Sequence, residues 1–266
     1  MSKPKKNTQA WAITYADMVT LLLTFFVLLM VILSEAEKQI EYQISKLLDN
    51  AYNQMVDGLD DKNIDVERVT KGVKVTIRGK LFEQLSPDIS SEYLSKIARI
   101  GDLIKDTDLM KLNLTVLPDS SDENFPLMSE LHNRGQELAV EIRCEGHTDD
   151  APIPKDKKIK YKDNWELSSD RSLNVVKQMN RYASIDYEYF SALGYGPYRP
   201  IISVETIKSK KTRREKDRLR EYNRRVEIYL DAFARDKIQT DEDQLIESLS
   251  GKKRKKKEEV EPLETS

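Results

Sequence analysis

The chain has 266 residues, of which 34% are charged, and its acidic and basic side chains nearly cancel to a formal charge of −2. This length allows one or two domains beyond a membrane anchor. The balanced charge indicates no nucleic-acid partner, and the single cysteine, Cys144, excludes an intrachain disulfide bond.

An apolar run from Trp11 to Leu33 dominates the start of the chain. Its length of about 23 residues corresponds to roughly 34 Å of helix, enough to cross a hydrocarbon core of about 30 Å. A cleaved signal peptide is the alternative, because lysines precede the run and Ser34-Glu35-Ala36 resembles a cleavage site. The run is longer than a signal-peptide core and contains an acid, so we predict a retained transmembrane helix over 11–33. Since the basic residues precede it, residues 1–10 are predicted to be a cytoplasmic stub.

The acid inside this run, Asp17, lies on a polar stripe of the predicted helix. At about 100° per residue, Thr14, Thr20 and Thr24 share one arc of roughly 120° with it. A carboxylate at membrane depth costs on the order of 2.5–3.5 kcal/mol on insertion scales, so an intramembrane acid indicates a function. We predict that Asp17, Thr20 and Thr24 bind a transported ion, either H⁺ or Na⁺. The alternative is that Asp17 snorkels to the membrane interface.

The next stretch, residues 34–58, has the pattern of an amphipathic helix. Its apolar residues recur mostly every fourth position in a background rich in Glu, Lys and Gln: Ala36, Ile40, Ile44, Leu47, Ala51 and Met55. A stalk that pairs with a second copy of the chain would use this face. Residues 59–71 are charged and irregular, and we interpret them as a linker.

A globular domain is predicted over residues 72–232, followed by a charged, disordered tail over 233–266. Its alternating or apolar runs predict strands over 73–77, 140–144, 190–193 and 226–230. Helices are predicted from Ser90 to Lys105 and from within Asn164–Arg171, the latter with Ser168 as N-cap. Residues 106–138, which include a short alternating run over 112–116, are otherwise unassigned. This order of strands and helices predicts an α+β fold.

The sequence indicates no catalytic centre. It lacks a phosphate-binding glycine-rich loop, and Cys144 lies inside a strand pattern. His147 beside Asp149 and Asp150 is a weak ligand cluster, because the usual metal-ligand spacings are absent. We therefore predict no enzyme activity, no metal and no cofactor.

The apolar run carries a family resemblance in Trp11, Tyr15-Ala16-Asp17, the following Met18–Leu23 and Phe25-Phe26. These residues resemble the transmembrane signature of the MotB/PomB group, the B subunits of bacterial ion-driven stators. The resemblance implies that Asp17 binds the ion and that two B subunits form a homodimer inside a ring of MotA-type multi-span subunits. It also implies a plug role for residues 34–58, an inner-membrane location and a periplasmic C-terminal domain.

A second resemblance rests on four motifs of the domain: Gly146–Asp149, Asn164–Arg171, Gly194–Gly196 and Asn223–Arg225. They resemble the OmpA-like peptidoglycan-binding domain over roughly residues 70–232, which implies a βαβαββ order with a mixed sheet. By the same resemblance, peptidoglycan is bound by Thr148, Asp149, Asn164, Leu167, Arg171 and Arg224. Two stretches depart from the pattern: 106–138 is longer than expected, and 201–220 is an enlarged basic loop.

The chemistry of one pair in this set fits such a ligand. The resemblance assigns Asp149 to the ammonium and Arg171 to the carboxylate of a peptidoglycan stem amino acid. A zwitterion needs an acid and a base a few Å apart, and a guanidinium at a helix start adds bidentate geometry. The alternative is a plain surface salt bridge between the two side chains.

Three functions follow as hypotheses. The first is the stator B subunit of a flagellar motor that couples ion flow at Asp17 to torque while it is anchored to peptidoglycan. The second is a MotB-like subunit of a Zorya-type antiphage defence motor. The third is a passive peptidoglycan tether in which Asp17 carries no ion.

Overall fold

A computed structural model describes residues 10–79, 81–82, 85–114, 118–154 and 160–237, and it begins with one long helix. Helix α1 (Ala10–Gly58) continues through 49 residues without a break. Residues 11–35 are exposed along their whole length. Among the described residues, α1 is the one helix that is long and apolar enough to cross a membrane. The predicted span 11–33 lies within this first part of α1.

The second part of α1 packs against the domain. Its buried side chains belong to the main hydrophobic core: Ile40, Ile44, Leu47, Leu48, Ala51 and Met55. They include five of the six positions predicted for the apolar face, and the side chain of Ala36 lies outside the described residues. A polar contact adds to this packing, because Arg68 donates to the carboxylate of Asp49 at 2.7 Å and to the hydroxyl of Ser45 at 3.0 Å.

The domain is built on a five-stranded mixed sheet in the order β1-β2-β5-β3-β4. Its strands are β1 (Ile64–Val69), β2 (Gly72–Arg78), β3 (Gln136–His147), β4 (Phe190–Gly194) and β5 (Arg225–Asp236). All neighbours pair antiparallel except β3 and β4, which pair in parallel. The longest ladder joins β3 to β5 over twelve residue pairs, from Gln136 opposite Asp236 to His147 opposite Arg225.

Six α-helices follow α1 among the described residues. They are α2 (Ser91–Lys105), α3 (Asp108–Asn113), α4 (Phe125–Asn133), α5 (Asn164–Ala183), α6 (Val204–Ser209) and α7 (Arg213–Asn223). Side chains at helical spacing on α2 and α5 are buried against alternate residues of β3 and β5, for example Ile97, Met179, Ile142 and Ile228. The intervening strand residues carry charged side chains to the other face, where Arg143 bridges Glu145 and Asp231.

The predicted fold class is confirmed in its architecture: one N-terminal apolar helix is followed by an α+β domain with a mixed sheet. The βαβαββ order needs one addition at its start. The predicted linker 59–71 is wrong, since Ile64–Val69 forms β1 in register with β2. Only one face of β1 is covered, so that Ile64 is buried whereas Glu67 is exposed. The charged residues of the exposed face made the segment resemble a linker in the sequence.

Other boundaries also differ from the prediction. The alternation over 112–116 is not that of a strand in its first part, because residues 112 and 113 belong to the end of α3. The hydroxyl of Thr107 caps this helix by accepting a hydrogen bond from the Met110 N–H. Residues 115–117 lie outside the described residues. The N-cap of α5 is Asp163 and not Ser168, because the Asp163 carboxylate accepts from the Glu166 N–H at 2.9 Å.

The C-terminal limits shift as well. β5 continues to Asp236, so the domain extends beyond residue 232 and the predicted tail begins later than 233. The predicted basic loop 201–220 contains α6 and most of α7, and α7 starts with a capping box between Thr212 and Glu215. The predicted stub, apart from Ala10 at the start of α1, and residues 238–266 lie outside the described residues.

Candidate functional site

The predicted ion-binding residues lie on the exposed part of α1. The hydroxyls of Thr20 and Thr24 each donate to the carbonyl three residues earlier, at 2.8 and 2.9 Å, and the first of these carbonyls belongs to Asp17. A hydroxyl that donates its hydrogen to the backbone still offers oxygen lone pairs. The stripe therefore presents a carboxylate and two hydroxyl oxygens on one side of the segment 11–33, whose other residues are almost all apolar.

The predicted wall-binding residues come together where β3 ends and α5 begins. Two glycines allow the close approach: a Cβ on Gly146 would lie 2.1 Å from the Ser168 carbonyl oxygen, and one on Gly194 would lie 2.2 Å from the Ser169 hydroxyl. The turn after β4 closes the arrangement, because the Gly196 carbonyl accepts from the Thr148 N–H at 3.0 Å. Gly196 itself has a φ of +51°, a conformation that favours glycine.

Asp149 is held between two elements. One carboxylate oxygen accepts from Arg224 at 2.6 Å, and the other accepts from the Ala151 N–H at 3.0 Å. The first contact brings the Asn223–Arg225 motif to the Gly146–Asp149 motif across 75 residues of sequence. Asp149 and Arg224 are thus direct partners in this structure.

Arg171 lies on the inner side of the same group. Its side chain is buried, with the residue only 7% exposed; Nε donates to the Ser86 carbonyl at 3.1 Å, and the guanidinium lies 4.7 Å from the Phe82 ring centre. Burial and repulsion from Arg224 lower the pKa of Arg171 to about 10, against the opposing attraction of Asp149. Arg171 therefore remains charged at neutral pH, close to the acid with which it was predicted to act.

The remaining predicted residues shape the surroundings. The Asn164 amide donates to the Ala151 carbonyl at 2.8 Å, which ties the first turn of α5 to the loop after β3. Leu167 is buried. The Thr148 hydroxyl is buried and has no hydrogen-bond partner among the described residues. All six predicted residues therefore belong to one neighbourhood.

Two further features were not predicted. Arg220 of α7 makes a bidentate contact with Asp150 at 2.7 and 3.2 Å, which lowers the pKa of Asp150 and holds α7 against the loop after β3. Because α7 leads directly into Arg224, this contact positions the Asp149 partner. The sequence predicts a basic loop at this place, and because Arg220 and Asp150 are 70 residues apart, no local pattern indicates their contact.

The second feature is a buried polar cluster of Glu145, His147 and Glu227. One side-chain oxygen or nitrogen atom of each, of the kind that could bind a metal ion, lies within 4.8 Å of the others. His147 therefore faces these two glutamates, although the sequence had placed it beside Asp149 and Asp150. Burial and nearby arginines, Arg225 first, lower the pKa of His147 to about 4, with Glu227 opposing. The alternation of Glu145 and His147 along one strand face is the sequence pattern that could have indicated this cluster.

Comparison with known proteins adds to this geometry. Residues 1–52 match a family model described as the membrane MotB of the proton-channel complex MotA/MotB. Motility protein B of Bacillus subtilis (strain 168) is 26% identical over 270 residues, which cover 84% of this chain and 90% of that protein. The resemblance to MotB-type stator B subunits is confirmed.

Two more similarities extend over most of the chain. The uncharacterized protein YtxE of Bacillus subtilis (strain 168) is 25% identical over 238 residues, which cover 86% of this chain and 90% of that protein. A crystal structure of a MotB-like protein from Desulfovibrio vulgaris matches 73% of this chain and 94% of its own, with 19% identity and a TM-score of 0.49. The match to motility protein B, which covers 84% of this chain, thus includes both the apolar helix and the domain.

Proposed function

We propose that this MotB-like chain is the B subunit of an ion-driven flagellar stator, which couples the passage of H⁺ or Na⁺ at Asp17 to torque while its domain is anchored to peptidoglycan. It acts as a homodimer with a MotA-type multi-span subunit. It crosses the inner membrane once, with the N-terminus in the cytoplasm and the domain in the periplasm, and it has no enzymatic role.

One observation carries the motor part of this proposal. Asp17, Thr20 and Thr24 share one side of a helix whose other residues over 11–33 are almost all apolar, in a segment that matches the MotB family model. The driving force is adequate, since one elementary charge moved through 100 mV releases about 2.3 kcal/mol. A carboxylate that takes up and releases a cation on this path can convert that energy into a change of helix position.

The anchoring part is supported by the cluster of Asp149, Arg171 and Arg224. An acid and two guanidinium groups lie together at a close contact between α5 and the loop after β3, and Arg171 keeps its charge in spite of its burial. Such a group suits the ammonium and carboxylate of a peptidoglycan stem amino acid. In the absence of ligand, Arg224 neutralises Asp149, so binding would exchange one partner of this acid for another.

The ion-binding residue is tested by Asp17→Asn, which is nearly isosteric and cannot titrate. In a strain whose stator B subunit is this chain, the variant is expected to insert and assemble but to give no swimming, whereas Asp17→Glu retains part of the speed. Asp57→Asn is the matched control, because it removes a charge from the exposed outer end of the same helix. Wild-type speed with Asp17→Asn would leave a passive tether as the function.

The wall site is tested by Arg171→Ala and Asp149→Lys. Each leaves a ligand charge unpaired, at a cost on the order of 2–5 kcal/mol, so that the protein no longer sediments with purified peptidoglycan. Arg181→Ala removes an exposed guanidinium from the last turn of α5, away from the start of that helix, and serves as the control. Undiminished sedimentation of both site variants would place the wall contact elsewhere, for example on the basic segment 208–220.

A further inference from the structure

Two exposed aromatic side chains lie side by side at the edge of the wall-binding group, the cluster of Asp149, Arg171 and Arg224. Trp165 is 51% exposed and Tyr198 is 72% exposed. Their ring centres are 5.4 Å apart and their planes are inclined by 48°. Large aromatic rings gain free energy from burial, so a pair that stays in water beside a proposed ligand site indicates a contact surface.

The two backbone segments that contain Trp165 and Tyr198 are hydrogen-bonded to the segments of the wall-binding group. Trp165 follows Asn164, whose amide is bonded to the loop after β3, in the first turn of α5. Tyr198 ends the turn in which the Gly196 carbonyl accepts from Thr148, and its own N–H donates to the Tyr195 carbonyl at 3.1 Å. The Gly196 N–H also donates to the Ser168 hydroxyl at 2.9 Å, which joins the turn to α5. Trp165 therefore follows Asn164 directly in the chain, and Tyr198 lies in a turn that is hydrogen-bonded to Thr148.

The surroundings of the pair are polar. Lys162, Asp163 and Glu166 are exposed at the start of α5, and Arg199 follows Tyr198 with a largely exposed side chain. An apolar protein partner would need a wider apolar surface than two rings provide. A sugar ring suits this arrangement better, because its C–H face packs on an aromatic ring while its hydroxyl and acetamido groups bond to polar neighbours.

We propose that Trp165 and Tyr198 form a stacking platform for a sugar ring of the peptidoglycan glycan strand. This inference rests on the proposed function, because the stem peptide that Asp149 and Arg171 would hold branches from such a sugar. A wall fragment seated at the charged group thus brings a sugar towards the aromatic pair. The platform adds recognition of the glycan to a site that otherwise binds only the charged groups of an amino acid.

The double variant Trp165→Ala/Tyr198→Ala tests the platform with the full chain in detergent and purified peptidoglycan. Its affinity is expected to fall about tenfold, which corresponds to the loss of one or two aromatic contacts. Both side chains are exposed, so the fold should persist, as circular dichroism would verify. Tyr187→Ala is the control, since Tyr187 is 57% exposed but precedes β4, at the end of that strand away from the site. An unchanged affinity of the double variant would overturn the proposal.

A second arm separates this inference from the proposed function. Soluble N-acetylglucosamine oligosaccharides, which lack a stem peptide, are expected to change the tryptophan fluorescence of the wild type and of Arg171→Ala, but not of Trp165→Ala. If Arg171→Ala still binds peptidoglycan while the oligosaccharide response depends on Trp165, the charged site fails and the platform stands. If the oligosaccharide changes no fluorescence, or changes it equally in Trp165→Ala, the platform is overturned whatever the charged site does.

Discussion

His147 shows how burial sets the charge of a single side chain. Its ring is almost fully buried and stacks on Tyr195 at 5.4 Å between ring centres. The folded protein holds the pKa of His147 at about 4, well below the ordinary value of 6.5. The unfolded chain therefore takes up a proton at a higher pH than the folded protein does.

This difference predicts a loss of stability in acid. As the pH falls from 6.5 to 4, only the unfolded state binds this proton, so the free energy of unfolding falls by up to about 3 kcal/mol. His147→Gln should remove that part of the pH dependence, as measured by urea unfolding at several pH values. His132→Gln, at an exposed position, is the control, and an equal flattening by both variants would contradict the assignment.

At this scale the sequence was informative where a motif kept its residues close together. Gly146–Asp149 and Asn164–Arg171 predicted the two sides of the group that contains Asp149, Arg171 and Arg224, and the structure brings them together. The contacts of Arg220 with Asp150 and of Glu145 with His147 and Glu227 were missed. The first contact joins residues that are 70 positions apart in the sequence. The second requires the register in which β3 pairs with β5. Neither is contained in a local sequence pattern.

Among the elements, α1 combines two environments in one helix. Its first part is exposed and apolar, whereas its second part contributes six side chains to the core of the domain. The period of four predicts the amphipathic face correctly, but it does not indicate that the domain covers this face. A plug that docks on the membrane or on a partner ring would first have to release this face from the domain.

Truncation of that face should destabilise the domain. Ile44→Ala and Met55→Ala are each expected to lower the free energy of unfolding by about 2–4 kcal/mol, because each leaves a cavity against the sheet and helices. Tyr42→Ala, on the exposed side of α1, should change it by less than about 0.5 kcal/mol. Urea denaturation followed by circular dichroism measures these values, and equal effects at positions 42 and 44 would mean that α1 is not part of the core.

For the whole molecule, the domain begins well before residue 72. The predicted boundary leaves out both β1 and the second part of α1. In a local stretch of sequence, a charged edge strand and an amphipathic helix both resemble exposed connections between domains. The alternating strands and the β3–α5–β4 order were predictable, since their apolar residues repeat at the spacing of the elements themselves. What joins the helix to the sheet is a set of contacts between distant segments.

This boundary has a direct experimental consequence. A fragment of residues 72–237 should aggregate or remain unfolded, because it exposes β2 along one edge and the core that α1 covers. A fragment of residues 36–237 should be soluble and fold cooperatively. Size-exclusion chromatography and thermal unfolding compare the two, and a stable, monomeric 72–237 fragment would show that β1 and α1 are dispensable for folding.

The attachment of α1 also determines where the protein would yield under tension. In the proposed stator, tension between the peptidoglycan and the membrane would act on two contacts, the twelve-pair ladder between β3 and β5 and the apolar contact of α1 with the domain. The ladder resists because many hydrogen bonds must shear together. The helix contact is loaded from the end at Ile40 and can peel one turn at a time. Rupture should therefore start along α1, lengthening the molecule while the sheet, and the residues that would grip the wall, remain folded.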